Sequence, residues 1–513
     1  MSEHRDVFER YSVASPMPRA VRRALDAMHA NVGHRWTIAE LARIAGTSAR
    51  TLQRQFLSFL GKTPRAVLRD IGFERARREL LQGVSGGKIM DVAWRCGFPH
   101  FGRFSVEYRR RYGETPSQTL KRQAVFAAAL SSRPAPVVPT RDCVTLAFAG
   151  IEAGSDHIEM ASDVAADLAM ALTRAGIAVT RDKHLARYQL TAALRGSGPR
   201  LRLLFRLADN ESGRQLWAHR ADSLLCDDVA TETLATRITA ALQPCLRSAE
   251  IEHALRKPGS ELSPHDLALR AMPGVLALDE EGNALALELL EQAMDGDSNQ
   301  ALAVALAAWA HLQRVVYHFT DEPQIQRARG IELTQKALAL PADATTLAVL
   351  GNALTLLGEQ DAAAQVIARA LSVDGGSAWA WSRSGWIDVY RGDPESAIER
   401  FKIALDLAPH DALAFNNQIG IGCAHFLAGA YAEAAVWQER ALSRHPSAFW
   451  VHRTLCPTYV FGNARPQARR SLGMLRVRYP ELTVSKIKLC MPPVPPAFSE
   501  LIVGGLVEAG LPR

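Results

Sequence analysis

Residues 36–56, WTIAELARIAGTSARTLQRQF, and residues 89–117, IMDVAWRCGFPHFGRFSVEYRRRYGETPS, read as one device written twice. In the first copy Ile38, Leu41 and Ile44 recur at helical spacing, and Gly46 falls where a tight turn needs permissive backbone angles. Leu52 and Phe56 then give the next helix an apolar face, so Arg50, Gln53 and Arg54 stand on its other side. In the second copy Val92 and Ala93 pack one helix, Cys96-Gly97-Phe98 makes the turn, and Phe104 and Tyr108 anchor a helix presenting His100, Phe101, Gly102, Arg103 and Val106. Arg109-Arg110-Arg111 closes it. Each copy is a helix-turn-helix, and two in succession point to sequence-specific binding of double-stranded DNA.

Four stretches carry a resemblance: Ser48 to Phe56, Gly61 to Pro64, Glu74 to Leu80, and Gly97 to Ser117. Together they resemble the DNA-binding region of the AraC/XylS family of bacterial transcription activators, in which two such units are bridged by a long helix. Gly72 departs from the family's pattern, which usually has an arginine there. A connector from Pro64 to Leu81 is about 27 Å long at the helical rise, close to the roughly 34 Å between successive major-groove faces. Arg50, Gln53, Arg54 and Arg103 are then the candidate base readers, since arginine pairs with guanine and glutamine with adenine through two bonds. His100 lies beside them, and Phe101 suits thymine methyl groups. Lys62, Arg109 and Arg110 are better placed for phosphate. A solvated helix face is the alternative for each arginine taken alone.

Charge follows the same division. Residues 1–125 hold 23 Lys and Arg against 11 Asp and Glu, a net +12, so the remaining residues carry −5 of the overall +7. Basic charge is concentrated where the phosphates would be met.

The 513 residues suffice for three or more domains, and 48% hydrophobic residues supply several cores. No uninterrupted apolar run of membrane-spanning length occurs, and the charged start MSEHRDVFERYS lacks a secretory pattern. The seven cysteines, at 96, 143, 226, 245, 423, 456 and 490, are scattered without metal-like spacing and read as reduced thiols of a cytoplasmic protein. Gly86-Gly87-Lys88 fails as a phosphate loop, because Gln82 holds the first glycine position and Ile89 replaces the hydroxyl. No cofactor or metal is expected.

A Ser/Pro-rich stretch, SSRPAPVVPT at 131–140, cannot continue a helix and reads as a linker. Beyond it CVTLAFAGI, IAVT, YQLTAALRG and LRLLFRLAD read as strands, Ala161 to Ala175 as a helix, and QLWAHRA as a last short strand. This small α/β region resembles the TolB-like module that precedes helical repeats in some bacterial regulators, a likeness that implies no catalytic residue. Asp163, Asp167, Asp182, His184 and His219 are its polar candidates, yet no nucleophile turn or metal set accompanies them, so no enzyme is expected.

From about Leu262 the sequence repeats. Ala337-Leu338, Ala370-Leu371, Ala404-Leu405 and Ala441-Leu442 recur near a 34-residue period, with glycines at 358, 392, 429 and 462 in step. Paired helices at that period are the tetratricopeptide signature, read here as four to five repeats. Such stacks leave a concave groove for a peptide or protein. Trp379, Trp381, Trp386, Tyr390 and Trp437 either line that groove or fill helix packing, and the helical spacing of 379, 386 and 390 favours packing. His410 and Asp411 fall in a turn and read as caps.

The expected chain is multidomain and mainly α. A tail (1–19) precedes a double helix-turn-helix domain (20–122), a linker (123–141), a small α/β domain (142–248), an α-solenoid of tetratricopeptide-like helix pairs (249–482) and a tail (483–513). The expected partners are promoter DNA, RNA polymerase or another protein through the repeats, and a second copy of the chain; no membrane is involved. In the commonest AraC layout a β-barrel sensor precedes the DNA reader, so the reversed order here argues against a sugar effector. A scaffold acting mainly through its repeats is the alternative.

Overall fold

The computed structural model describes residues 18–60, 62–83, 88–112, 114–131, 144–197, 200–223, 228–492 and 494–512. The Pro-rich part of the expected linker, residues 1–17 of the expected N-terminal tail, Gly61, Gly86-Gly87, Cys143 and Cys226 lie outside the described residues. The chain divides into two compact units, 1–132 and 133–513.

Threonine and proline set the helix starts of the first unit. Thr37 and Glu40 form a reciprocal capping box, and Thr63 accepts from the backbone of Ala66 ahead of Pro64 at the first helical position. The helices are α1 (Arg19–Ala30), α2 (Ile38–Ala45), α3 (Ala49–Leu60), α4 (Pro64–Leu81), α5 (Ile89–Arg95), α6 (Phe101–Tyr112) and α7 (Pro116–Ser131). Gly46 ends α2 at φ 70°, the left-handed geometry that its turn requires. Two cores result. Val21, Leu25, Met28, Leu41, Leu52 and Phe56 form one with Ile71, while Leu80, Val92, Phe104 and Tyr108 form the other with Phe73. Helix α4 supplies both Ile71 and Phe73, so a single rod carries the two helix-turn-helix halves.

The second unit begins with a five-stranded mixed sheet: β1 (Thr145–Glu152), β2 (Ala178–Thr180), β3 (Tyr188–Ser197), β4 (Arg200–Asp209) and β5 (Gln215–Ser223). Its order is β2-β1-β3-β4-β5, with β1 parallel to β2 and β3 and the rest antiparallel. Helix α8 (Ile158–Arg174) makes the crossover between β1 and β2, and α9 (Asp228–Arg256) follows β5. Leu146, Tyr188, Leu190, Phe205 and Leu207 meet Val164, Leu168 and Leu172 of α8 and Ile238, Leu242 and Leu246 of α9 in one core. The expected boundary at 248 thus falls inside a continuous helix, because Ala249 still packs on the sheet.

Six helix pairs follow among the described residues: α10 (Pro264–Ala277) with α11 (Glu280–Gly296), α12 (Ala301–Val316) with α13 (Pro323–Leu338), α14 (Ala344–Leu357) with α15 (Gln360–Val373), α16 (Ala378–Arg391) with α17 (Pro394–Leu407), α18 (Ala414–Leu427) with α19 (Tyr431–Arg444), and α20 (His452–Phe461) with α21 (Arg465–Arg478). The four to five repeats read from the sequence undercount them. The first two pairs turn on Leu278 (φ 53°) and His318 (φ 63°) rather than glycine, so the punctuation is hidden. In the last pair Asn463 (φ 57°), not Gly462, takes the left-handed position. First helices stand inside and second helices outside: α14 and α18 are buried nearly all round, whereas α15 and α17 bury one stripe. Close approach is enforced at Gly420, where a Cβ would lie 2.2 Å from the ring of Phe401.

The solenoid closes on itself. Trp450 Nε1 donates to Leu278 O (2.9 Å), His445 Nε2 lies 2.7 Å from Ala277 O, Arg478 pairs with Glu280, and the Tyr317 and Trp450 rings stack at 4.3 Å. The tail expected at 483–513 forms α22 (Val484–Cys490) and α23 (Pro496–Ala509) instead. Phe498, Ile502 and Leu506 recur four apart and are buried, and Gly505 lies tight against Pro457 of α20. Helix α9 is tied to the outer turns: Arg247 donates to Asp411 (2.8 Å) and lies 4.0 Å above the Trp379 ring, and Gln243 donates to Asp374 (2.6 Å).

Candidate nucleic-acid interface

Burial decides which face each recognition helix presents. Leu52 and Phe56 fix α3, leaving Arg50, Gln53 and Arg54 exposed; Phe104 and Tyr108 fix α6, leaving Phe101, Arg103, Arg109 and Arg110 exposed, with His100 just ahead. Val106, 73% exposed, shares the Arg103 face. Among the described residues Arg50, Arg54, Arg103 and Arg109 make no ion pair, so their guanidiniums stay available.

The remaining basic side chains divide between packing and display. Arg111 turns inward to pair with Asp70 of α4 and lies 5.1 Å from the Phe73 ring, locking α6 to the connector. Lys62 is held by the same carboxylate at 2.7 Å and is half-exposed. Burial alone would raise the Asp70 pKa, but hydrogen bonds from Lys62 and Arg111 outweigh it and hold the carboxyl below its ordinary value. Arg110 lies 3.6 Å from Glu107 and keeps most of its surface. The three consecutive arginines therefore separate into one structural and two outward-facing residues, as a 100° step per residue requires.

A second lock holds α5. Glu79 of α4 receives Arg95 at 2.8 Å and Arg75 at 3.1 Å; burial opposes its ionisation, yet these bonds keep its pKa low. Beside it, burial pushes the Cys96 thiol up to about 12, so it behaves as a core side chain. Gly72 explains the departure noted above: a Cβ there would meet Cys96 O at 2.7 Å and the Phe98 ring at 3.1 Å. No arginine stem fits between the connector and this turn without moving one of them.

Met90 and Trp94 are not among the residues that the sequence pattern marks as DNA contacts. They lie one turn apart on α5 and are 52% and 68% exposed. Their only sequence signal is that they fall out of phase with the buried Val92 and Ala93.

Residues 41–122 match the family model described as a helix-turn-helix domain. Over 112 residues the chain is 37% identical to a probable thc operon regulatory protein of Rhodococcus erythropolis, covering 22% of this chain and 34% of that one. Over 99 residues it is 34% identical to XylDLEGF operon transcriptional activator 2 of Pseudomonas putida, covering 19% and 63%. The N-terminal unit holds an AraC-type helix-turn-helix domain. The chain thus spans about a third of the first relative's length and under two thirds of the second's. Among solved structures, an AraC-type transcriptional regulator from Chromobacterium violaceum shares 28% identity over 20% of this chain and 92% of its own, with a TM-score of 0.19. A tetratricopeptide repeat protein from Parabacteroides merdae shares 16% identity over 48% and 93%, with a TM-score of 0.28.

The polar candidates of the α/β part are not brought together. Asp163 is exposed, whereas Asp167 accepts from Thr231 at 2.7 Å rather than facing solvent alone. Asp182 caps His184 N, and His219 stacks on Trp217. In the solenoid Trp379 and Trp386 are buried in packing, and Asp411 ties α9 to Trp379 while accepting from Leu413 N.

Proposed function

We propose that this chain is a sequence-specific transcription regulator of the AraC type in the bacterial cytoplasm. One observation carries the reading: α3 and α6 each bury an apolar face and turn arginines outward, on a shared 18-residue connector about 27 Å long. Arg50, Gln53, Arg54 and Arg103 read base edges, with His100 beside them and Phe101 against thymine methyls; Lys62, Arg109 and Arg110 hold phosphates. Release of Lys62 from Asp70 accompanies DNA binding. The sheet region acts as a TolB-like module. Together with the solenoid it receives the signal and passes it to the promoter complex through RNA polymerase, another protein or a second copy of the chain.

The test is binding to the DNA upstream of its own coding sequence against a scrambled duplex at two salt concentrations. Contact with about six phosphates gives a log-log salt slope near −5. The Arg54→Ala/Arg103→Ala variant loses preference between the duplexes while retaining salt-dependent affinity, since each base contact contributes about 1–3 kcal/mol. Equal binding of both duplexes by the parent protein refutes sequence reading and leaves the scaffold role.

A further inference from the structure

The inner helices gather polar groups that helix packing does not need. Asn352 comes from α14, Arg383 and Tyr390 from α16, Asn416 from α18, Arg453 from α20, and Tyr317 from the end of α12. Arg383 is 5% exposed and Arg453 6%. Arg383 donates to Asn352 Oδ1 (2.8 Å), Asn416 Oδ1 (2.7 Å) and Ser382 Oγ (2.8 Å), and Arg453 donates to Val316 O (2.7 Å). None of these acceptors is charged. Among the described residues neither guanidinium meets a carboxylate. Asp411, whose charge reaches Arg383, is engaged by Arg247, Trp379 and Leu413 N.

Burial lowers the pKa of Arg383 only to about 10, so it remains a cation at neutral pH. Arg453 bonds the carbonyl of Val316, next to Tyr317, while Arg383 and the Trp386 indole share Asn416 Oδ1, and the Tyr390 ring lies 5.7 Å from that of Trp386; both guanidiniums act electrostatically on the two phenols. Arg383 Nε, Arg453 Nε and Asn352 Nδ2 are buried without a hydrogen-bond partner. The two phenols likewise donate to nothing among the described residues. These spare groups are all donors, and the local charge is positive. Buried cations without counter-charge are costly, and an anion removes that cost while accepting the spare hydrogens.

We propose that the closed interior of the solenoid is a binding site for a small anion bearing carboxylate or phosphate groups, held between Arg383 and Arg453 with Asn352, Tyr317 and Tyr390 donating. A small ligand is favoured over an extended peptide because inner helices α14 and α18 are buried nearly all round, and because the clasp between the first and last pairs closes the stack. The ligand would bridge pairs two to six beside the Arg453–Val316 contact. This goes beyond DNA reading and is tested without DNA.

The experiment is thermal unfolding of the full chain with inorganic phosphate, succinate or citrate, each against sodium chloride of matched ionic strength. At least one probe raises the melting temperature of the second unit by about 3 °C or more at saturation, and which one responds separates phosphate from carboxylate recognition. Arg383→Met abolishes the response. Should that variant fail to fold by circular dichroism, Tyr390→Phe decides, weakening the same probe about tenfold through one lost hydrogen bond to a charged group. The proposal is overturned if no probe exceeds the chloride control, or if the folded variants respond like the parent.

Discussion

Gly72→Ala sets two physical effects of opposite sign against each other. In the middle of a helix, alanine in place of glycine adds about 0.5–1 kcal/mol of stability by restricting the unfolded chain. Here the new methyl would lie 2.7 Å from Cys96 O and 3.1–3.2 Å from the Phe98 ring. The oxygen cannot easily retreat, because Cys96 N and Phe98 N are bonded to Val92 O and Ala93 O at 3.0 and 2.9 Å. Overpacking of this kind costs about 1–3 kcal/mol. The expected net is a loss of about 1–2 kcal/mol, or about 4–8 °C in the melting temperature of the N-terminal unit. Scanning calorimetry of residues 1–132 measures it. The methyl should also push the second helix-turn-helix away from α4, so operator affinity falls more than stability alone explains. A variant as stable as the parent, or more so, refutes the close-packing argument and leaves only helix propensity.

Other predictions rest on the ion pairs and buried histidines. Arg247→Ala strands the Asp411 carboxylate, whose side chain is 5% exposed, and should cost the second unit about 3 kcal/mol, read as a lower urea midpoint. Asp70→Asn should destabilise the N-terminal unit by about 1–2 kcal/mol at neutral pH. Because the Asp70 pKa is lowered on folding, its contribution is present above the ordinary value of 3.8 and fades as pH falls through the folded value, so parent and variant melting curves converge in acid. Burial lowers His452 from 6.5 to about 4, so below pH 6.5 the unfolded chain takes up a proton that the folded one refuses. Stability of the second unit therefore falls as pH drops from 6.5 towards 4, by at most about 3 kcal/mol before solvent screening, and His452→Gln flattens that slope.

Local chemistry was legible in the sequence wherever a residue type has one structural use. Gly46, Pro64 and the Leu52/Phe56 and Phe104/Tyr108 pairs set the turn, the connector start and the buried faces of the DNA-reading unit. What could not be read is set by contacts distant in sequence. Helical phase with Phe104 and Tyr108 already turns Arg111 inward from Arg109 and Arg110, but the carboxylate that receives it, Asp70, lies some forty residues earlier, outside any local pattern. Turns at Leu278, His318 and Asn463 put residues other than glycine at the left-handed positions, which hid one or two of the six helix pairs and displaced the last turn by one position. Helices α22 and α23 have no local signature because the apolar positions of α23 acquire a partner only once α20 is in place, and α22 then packs on α23. The same holds for the interior site: Arg383 and Arg453 lie seventy residues apart and look like ordinary surface residues until the inner helices stack.

Most helical-repeat arrays are lines, each unit touching only its neighbours, so their terminal repeats fray first and stability grows by increments along the stack. This array is a loop. Trp450, His445 and Arg478 grip the turn between α10 and α11, and the terminal repeats thereby become each other's caps. Fraying at either end must break the same clasp. Loss of the final repeat should therefore loosen the first, and unfolding should run as one cooperative event rather than as a zipper opening from its tip.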